Sequence, residues 1–215
     1  MKIEIWSDVV CPWCYIGKRR FERALAAFEG RDEVEVEWRS FQLNPDQPRG
    51  AVEDHDAHLA RKLDSSPEQV AEMNARLVEL AAAEGLDYHF ETYKVVNTLD
   101  AHRVLHLAKS HGLGSAAHER LLRAQLVEGQ VLEDPATLAR LAQEIGVDPA
   151  ETAEVLASDA FADAVAFDLA EAAGLGIHAV PFFVIDRTFG IPGAQPTEVL
   201  LAALRRVRGD GLARA

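Results

Sequence analysis

Apolar residues recur along this chain with two different periods, and the places where the period changes divide it into segments. Residues 3 to 6, IEIW, read as a short strand. Past Pro12 the apolar positions Phe21, Ala24, Leu25 and Phe28 recur at i, i+3, i+4 and i+7, as on one face of a helix. In EVEVEW, residues 33 to 38, Val34, Val36 and Trp38 alternate with glutamates, the period of a half-exposed strand. The opening is therefore β-α-β. The prolines and glycine of FQLNPDQPRG then break the pattern, and the long segment that follows carries helix signals only.

Ser66-Pro67-Glu68-Gln69 supplies a capping serine, a first-turn proline and a glutamine suited to a capping box. Val70, Met73, Leu77 and Leu80 follow on one face, and Gly85 is the expected stop. Further starts are predicted at Asn97-Thr98, Ser115, Asp134-Pro135, Asp148-Pro149 and Ser158, with stops at Gly112, Gly129, Gly146 and Gly174. β character returns in VPFFVID, residues 180 to 186. A turn near Arg187 and Thr188 leads to a short strand over Phe189 to Pro192. Gln195-Pro196-Thr197 opens a last helix with Val199, Leu200, Ala203, Leu204 and Val207 as its apolar set. Residues 1–45 and 160–215 are thus expected to form one α/β domain, split by a helical insertion at 46–159, so the two ends must meet in space.

Composition narrows the function. A chain of 215 residues with 48% apolar content is long enough to bury an ordinary core. Its net charge of −13 would repel phosphate backbones and anionic membrane surfaces, so neither nucleic acid nor membrane is an expected partner. MKIEIWSDVV lacks the apolar core of a signal peptide, and a cytoplasmic location is expected. In a reducing compartment the two cysteines, Cys11 and Cys14, point to redox chemistry or metal binding rather than to a structural staple.

Cys11-Pro12 repeats the residue-proline device that opens other helices in this chain. It places Cys11 at the N-cap, Pro12 at the first helical position and Cys14 one turn on. The sulfur of Cys11 is expected to stand in for a capping oxygen, facing free N–H groups and the positive end of the helix dipole, both of which favour a thiolate. Cys14, deeper and beside Trp13 and Tyr15, is near enough to form a disulfide with Cys11. The expected order is attack by Cys11 and resolution by Cys14. Asp8 is the nearest opposing charge, with Lys18, Arg19 and Arg20 a turn or more further on. The alternative, half of a zinc site, would need two further ligands. His102 with His106 and His55 with His58 have the spacing but no second cysteine pair, and no metal is expected.

IEIWSDVVCPWCYIGKRRF, followed much later by AVPFFVIDRTFGIPGAQP and with VNTLDAHRVLHLAKSHG between them, resembles the DsbA-like thioredoxin-fold oxidoreductases. The likeness is strongest to the FrnE-type branch associated with polyketide biosynthesis genes. The resemblance implies an α/β thioredoxin-like fold with a large all-helical insertion, and a disulfide oxidoreductase or isomerase acting on a protein or small-molecule thiol or disulfide. It also implies a redox-active Cys11–Cys14 disulfide with no bound cofactor. A cis proline is implied at Pro181 after Val180, with Pro12, Trp13, Val180 and Pro181 lining the substrate site. Asn97 and Thr98 fall in a segment that lines a pocket in related proteins. Those relatives, the 2-hydroxychromene-2-carboxylate isomerases and kappa-class glutathione transferases, suggest an alternative: glutathione-dependent isomerisation or transfer on an aromatic small molecule. They typically carry serine where this chain has Cys11. The resemblance further allows glutathione as a co-substrate and a homodimer.

Overall fold

The computed structural model describes residues 1–212. Strand β1 (Lys2–Ser7), helix α1 (Pro12–Ala26) and strand β2 (Glu35–Ser40) make the opening unit, with β1 and β2 parallel. Strands β5 (Phe182–Ile185) and β6 (Phe189–Pro192) complete a four-stranded sheet in the order β2-β1-β5-β6, β5 lying antiparallel to β1. The ends of the chain therefore meet in the middle of one sheet. Ile3 pairs with Val36 on one side and Ile185 on the other, and Ile5 with Trp38 and Phe183.

The alternation within β1 sends its side chains to two different cores. Ile3 and Ile5 join Phe183, Ile185 and Ile191 under Phe21, Ala24 and Phe28, and under Leu200 and Leu204 of α9 (Thr197–Leu212). Each such side chain, fully buried, contributes roughly 1.5–3 kcal/mol. Trp6 faces the other way, into the core shared with the inserted helices, and its Nε1 donates to the Asp168 carbonyl at 3.0 Å.

Between the two sheet segments lie β3 (Glu53–Asp54), α2 (His55–Leu63), α3 (Pro67–Ala83), β4 (Lys94–Val95), α4 (Leu99–Ser110), α5 (Gly114–Leu126), α6 (Pro135–Glu144), α7 (Pro149–Leu156) and α8 (Ala162–Gly174). Ser66, Asp134 and Asp148 cap their helices as their sequences predict, Ser66 with a complete capping box. Several expectations need correction. The segment is not free of strand: β3 and β4 pair antiparallel, though two residues each are too few to leave a period. Helix α5 starts at Gly114, and Ser115 instead accepts a hydrogen bond from Trp38 Nε1 at 3.2 Å. Helix α8 starts after Phe161, at φ 63°, rather than at Ser158. Ser158 closes α7, and Arg103, almost wholly buried, gathers the carbonyls of Val155, Ser158 and Ala160 between the two helices. Helix α8 ends at Gly174, but the left-handed turn that follows is made by Gly176. Helix α9 begins at Thr197, one residue later than Pro196 predicts, and Val199 is exposed rather than packed.

A buried polar knot ties the sheet to the insertion. Asp168 on α8 accepts from Ser40 N at 2.8 Å and Arg39 Nη1 at 2.9 Å, and lies 3.2 Å from His106 Nε2. Burial opposes its charge, but these hydrogen bonds outweigh burial and hold its carboxyl below the ordinary 3.8. Removing it leaves the buried Ser40 N–H without its acceptor and takes from Arg39 one of its carboxylates, Glu4 remaining at 2.6 Å. Asp168→Ala is therefore expected to lose about 1–3 kcal/mol in urea unfolding at neutral pH. The folded-state value is the lower one, so this stability is present above the unfolded value and is lost as pH falls through the folded one. The gap between wild type and variant should accordingly narrow in acid.

Candidate active site

Cys11 sits at the N-cap of α1 in extended geometry, φ −90° and ψ 113°, with Pro12 beginning the helix. The position agrees with the sequence, but the capping expectation does not hold. The sulfur makes no capping hydrogen bond, because the N–H of Cys14, which a capping side chain would take, is already held by the Cys11 carbonyl at 3.0 Å. The Cys11 thiol is instead 3.6 Å from the carbonyl oxygen of Val180 and donates to it. The Val180–Pro181 peptide bond is cis. A helix start and the approach to β5 thus converge on one sulfur atom.

Cys14 lies beneath. The two cysteines are unbonded and both are buried. Burial first, and then the contact with Cys11, push the Cys14 thiol well above its ordinary range, against the opposing hydrogen bonds from the Ser7 hydroxyl and the Asp8 backbone. Cys14 is therefore protonated at neutral pH.

The cations that follow the dithiol do not face the sulfurs. Lys18 Nζ reaches Glu119 on α5 at 2.6 Å, and Arg19 spans Glu119 and Glu22. Arg20 Nε reaches Glu84 at 2.6 Å, with Arg23 on the same carboxylate. This run clamps α1 to the inserted helices. Asp8, fully buried, accepts from Leu43 N at 2.8 Å and lies 3.3 Å from His102 Nε2.

Three further groups shape the site, and the sequence did not single them out. Tyr88 donates to the Pro12 carbonyl at 2.7 Å, and Tyr93 donates to the Val10 carbonyl. Burial, with negative charge nearby, raises both phenols, so they remain donors. Their signal was present in LDYHFETY, residues 86 to 93, an aromatic cluster outside any helical period. The third is Gly17 in α1. A Cβ there would stand 2.8 Å from Pro181 Cγ, so only glycine lets Pro181 lie against the helix.

Cys11, Pro12, Trp13 and Val180 line one side of a cavity of about 520 Å³, and side chains of α2 and α3 line the other. Pro181 is buried behind Val180 and does not line it. Asn97 and Thr98 do not line it either. Asn97 bonds the Gln47 carbonyl at 2.6 Å and accepts from Leu99 N at 2.9 Å, so both residues serve the start of α4. His102 and His106 go to separate partners, Asp8 and Asp168. His55 and His58 both reach the cavity. Among the described residues no group of three or more His, Cys, Asp and Glu is placed to hold a metal ion, and no helix is long and apolar enough to cross a membrane.

Residues 2–205 match the DSBA-like thioredoxin domain family. The Bacillus subtilis protein YwbO is 31% identical over 206 residues, spanning 94% of each chain. A probable DsbA oxidoreductase from Streptomyces coelicolor is 44% identical and superposes with a TM-score of 0.94, over 97% of this chain and 90% of its own. A 2-hydroxychromene-2-carboxylate isomerase superposes with a TM-score of 0.73 over the whole of both chains at 15% identity, a likeness of fold.

The contact between Gly17 and Pro181 has a measurable consequence. An alanine in a helix is ordinarily worth up to about 1 kcal/mol over glycine. Gly174→Ala, with nothing within 4 Å of the added carbon, is expected to raise stability in urea unfolding by up to that amount. Gly17→Ala is expected to lower it, by about 1–2 kcal/mol, since overpacking outweighs the helical gain. Equal stabilisation by both would contradict the close packing of Pro181 on α1.

Proposed function

The chain belongs to the DsbA-like thioredoxin family, an α/β fold with a helical insertion, and on that premise we propose that it reduces disulfides through Cys11 attack and Cys14 resolution. The observation that carries this reading is the pairing of a cavity-lining Cys11, in contact with the Val180 carbonyl, with a buried, protonated Cys14 one turn on.

In the proposed cycle the Cys11 thiolate attacks one sulfur of a substrate disulfide. A Cys11–substrate mixed disulfide forms, and the other substrate sulfur leaves as a thiolate and takes up a proton. Cys14 then loses its proton and attacks the Cys11 sulfur, releasing the second substrate thiol and closing the Cys11–Cys14 disulfide. The substrate gains two electrons and the protein dithiol loses two. Regeneration requires two equivalents of a small thiol, for which glutathione in a reducing cytoplasm is the proposed source. If a second thiol of the substrate attacks the mixed disulfide before Cys14 does, the same intermediate yields isomerisation. Cys11, standing where the related isomerases carry serine, favours this exchange over glutathione-dependent isomerisation of an aromatic small molecule.

Trapping tests the order of attack. Cys14→Ser is expected to accumulate a mixed disulfide on Cys11 when given a disulfide substrate, identified by mass spectrometry, and Cys11→Ser to lose turnover by at least about a hundredfold. Wild-type turnover in Cys11→Ser, or an adduct on Cys14 rather than Cys11, would contradict the reading.

A further inference from the structure

We infer that the cavity beside Cys11 selects a compact disulfide whose apolar body carries an anionic group, a carboxylate being the simplest, and that Lys62 and Arg76 are the residues that select it. The inference rests on the oxidoreductase reading above and adds to it the chemistry of the substrate.

Two observations carry it. The first is the size and lining of the cavity. About 520 Å³ lies within the range of roughly 300–1,000 Å³ typical of small-molecule sites. Its far wall is Leu59, Leu63, Met73 and Leu77, from α2 and α3. Two of its apolar lining residues remain open to solvent, Trp13 at 41% and Leu63 at 50% exposure, so an apolar occupant would remove that surface from water.

The second observation is charge. This chain carries a net −13, and the cations around the dithiol, Lys18, Arg19, Arg20 and Arg23, are all matched to carboxylates. Lys62 and Arg76 are not. Lys62 donates only to neutral oxygens, the Asn44 side chain at 2.5 Å and the Leu43 carbonyl at 3.4 Å. Arg76 has no ion pair or hydrogen bond among the described residues. Both line the same cavity as Cys11. In a protein whose overall field repels anions, two cations without carboxylate partners across the cavity from the nucleophile make a local exception with a clear sense.

The test is a single turnover of the pre-reduced protein, in which its own dithiol supplies both electrons. Two aromatic disulfides are compared at low ionic strength: dithiobis(nitrobenzoate), which carries a carboxylate on each ring, and the neutral dithiodipyridine. The ratio of their second-order rate constants is expected to fall at least about tenfold in Lys62→Gln/Arg76→Gln. It is expected to fall further in Lys62→Glu/Arg76→Glu, and to stay at the wild-type value in Arg140→Gln, a distant cation paired with Glu144. A ratio within twofold of wild type in both double variants would overturn the assignment of Lys62 and Arg76. Faster reaction of the wild type with the disulfides of insulin than with dithiobis(nitrobenzoate) would overturn the compact substrate in favour of a polypeptide. A wild type inert toward all three disulfides would instead overturn the oxidoreductase reading itself, a failure distinct from the loss of charge preference.

Discussion

The 3.6 Å contact between the Cys11 thiol and the Val180 carbonyl joins positions 169 residues apart, and most of the architecture serves to hold it. On one side Cys11 is placed by Pro12, which starts α1, and by the Tyr88 and Tyr93 hydroxyls, which hold the carbonyls flanking the cysteine. On the other side Val180 is placed by β5, paired with β1 in the middle of the sheet, and by Pro181 resting on Gly17. The insertion bears on the dithiol loop through the two tyrosines of the segment between α3 and β4, and on α1 through Glu84 and Glu119.

This arrangement separates the two cysteines chemically although only two residues lie between them. Cys11 is at the cavity wall, where a substrate sulfur can reach it. Cys14 is one turn into the helix, where burial keeps its thiol protonated until the mixed disulfide forms beside it. The polarity of the surroundings follows the same division. Charged side chains of α1 are neutralised against the insertion, away from the sulfurs, and Lys62 and Arg76, without carboxylate partners among the described residues, lie across the cavity, where an anionic substrate would supply what is missing.

Local and periodic features were legible in the sequence, and contacts between distant segments were not. Ile3 and Ile5, the alternation at Val36 and Trp38, and the capping residues Ser66, Asp134 and Asp148 each act within a few positions of themselves, and each lies where its pattern predicts. Cys11 at the first turn of α1 was legible for the same reason. Its hydrogen bond to Val180 was not, because whether a sulfur caps its helix depends on what else takes the Cys14 N–H. Gly17 looks like any helical glycine until Pro181 is set against it. The two-residue strands β3 and β4 are too short for a period, and Ser158 carries a cap signal although its hydroxyl donates back to the Glu154 carbonyl of α7. Asn97 and Thr98 show the converse: a likeness to a pocket-lining segment, in a place where the side chains bond the Gln47 carbonyl, the Gln42 side chain and the start of α4.

The central claim is that burial and position divide the dithiol into an attacking and a resolving thiol. Competitive alkylation tests it most directly: the reduced wild-type protein is given a limiting amount of iodoacetamide at neutral pH, and the labelled peptides are mapped by mass spectrometry. Cys11 is expected to be modified at least about tenfold faster than Cys14. Equal rates, or faster modification of Cys14, would contradict the account.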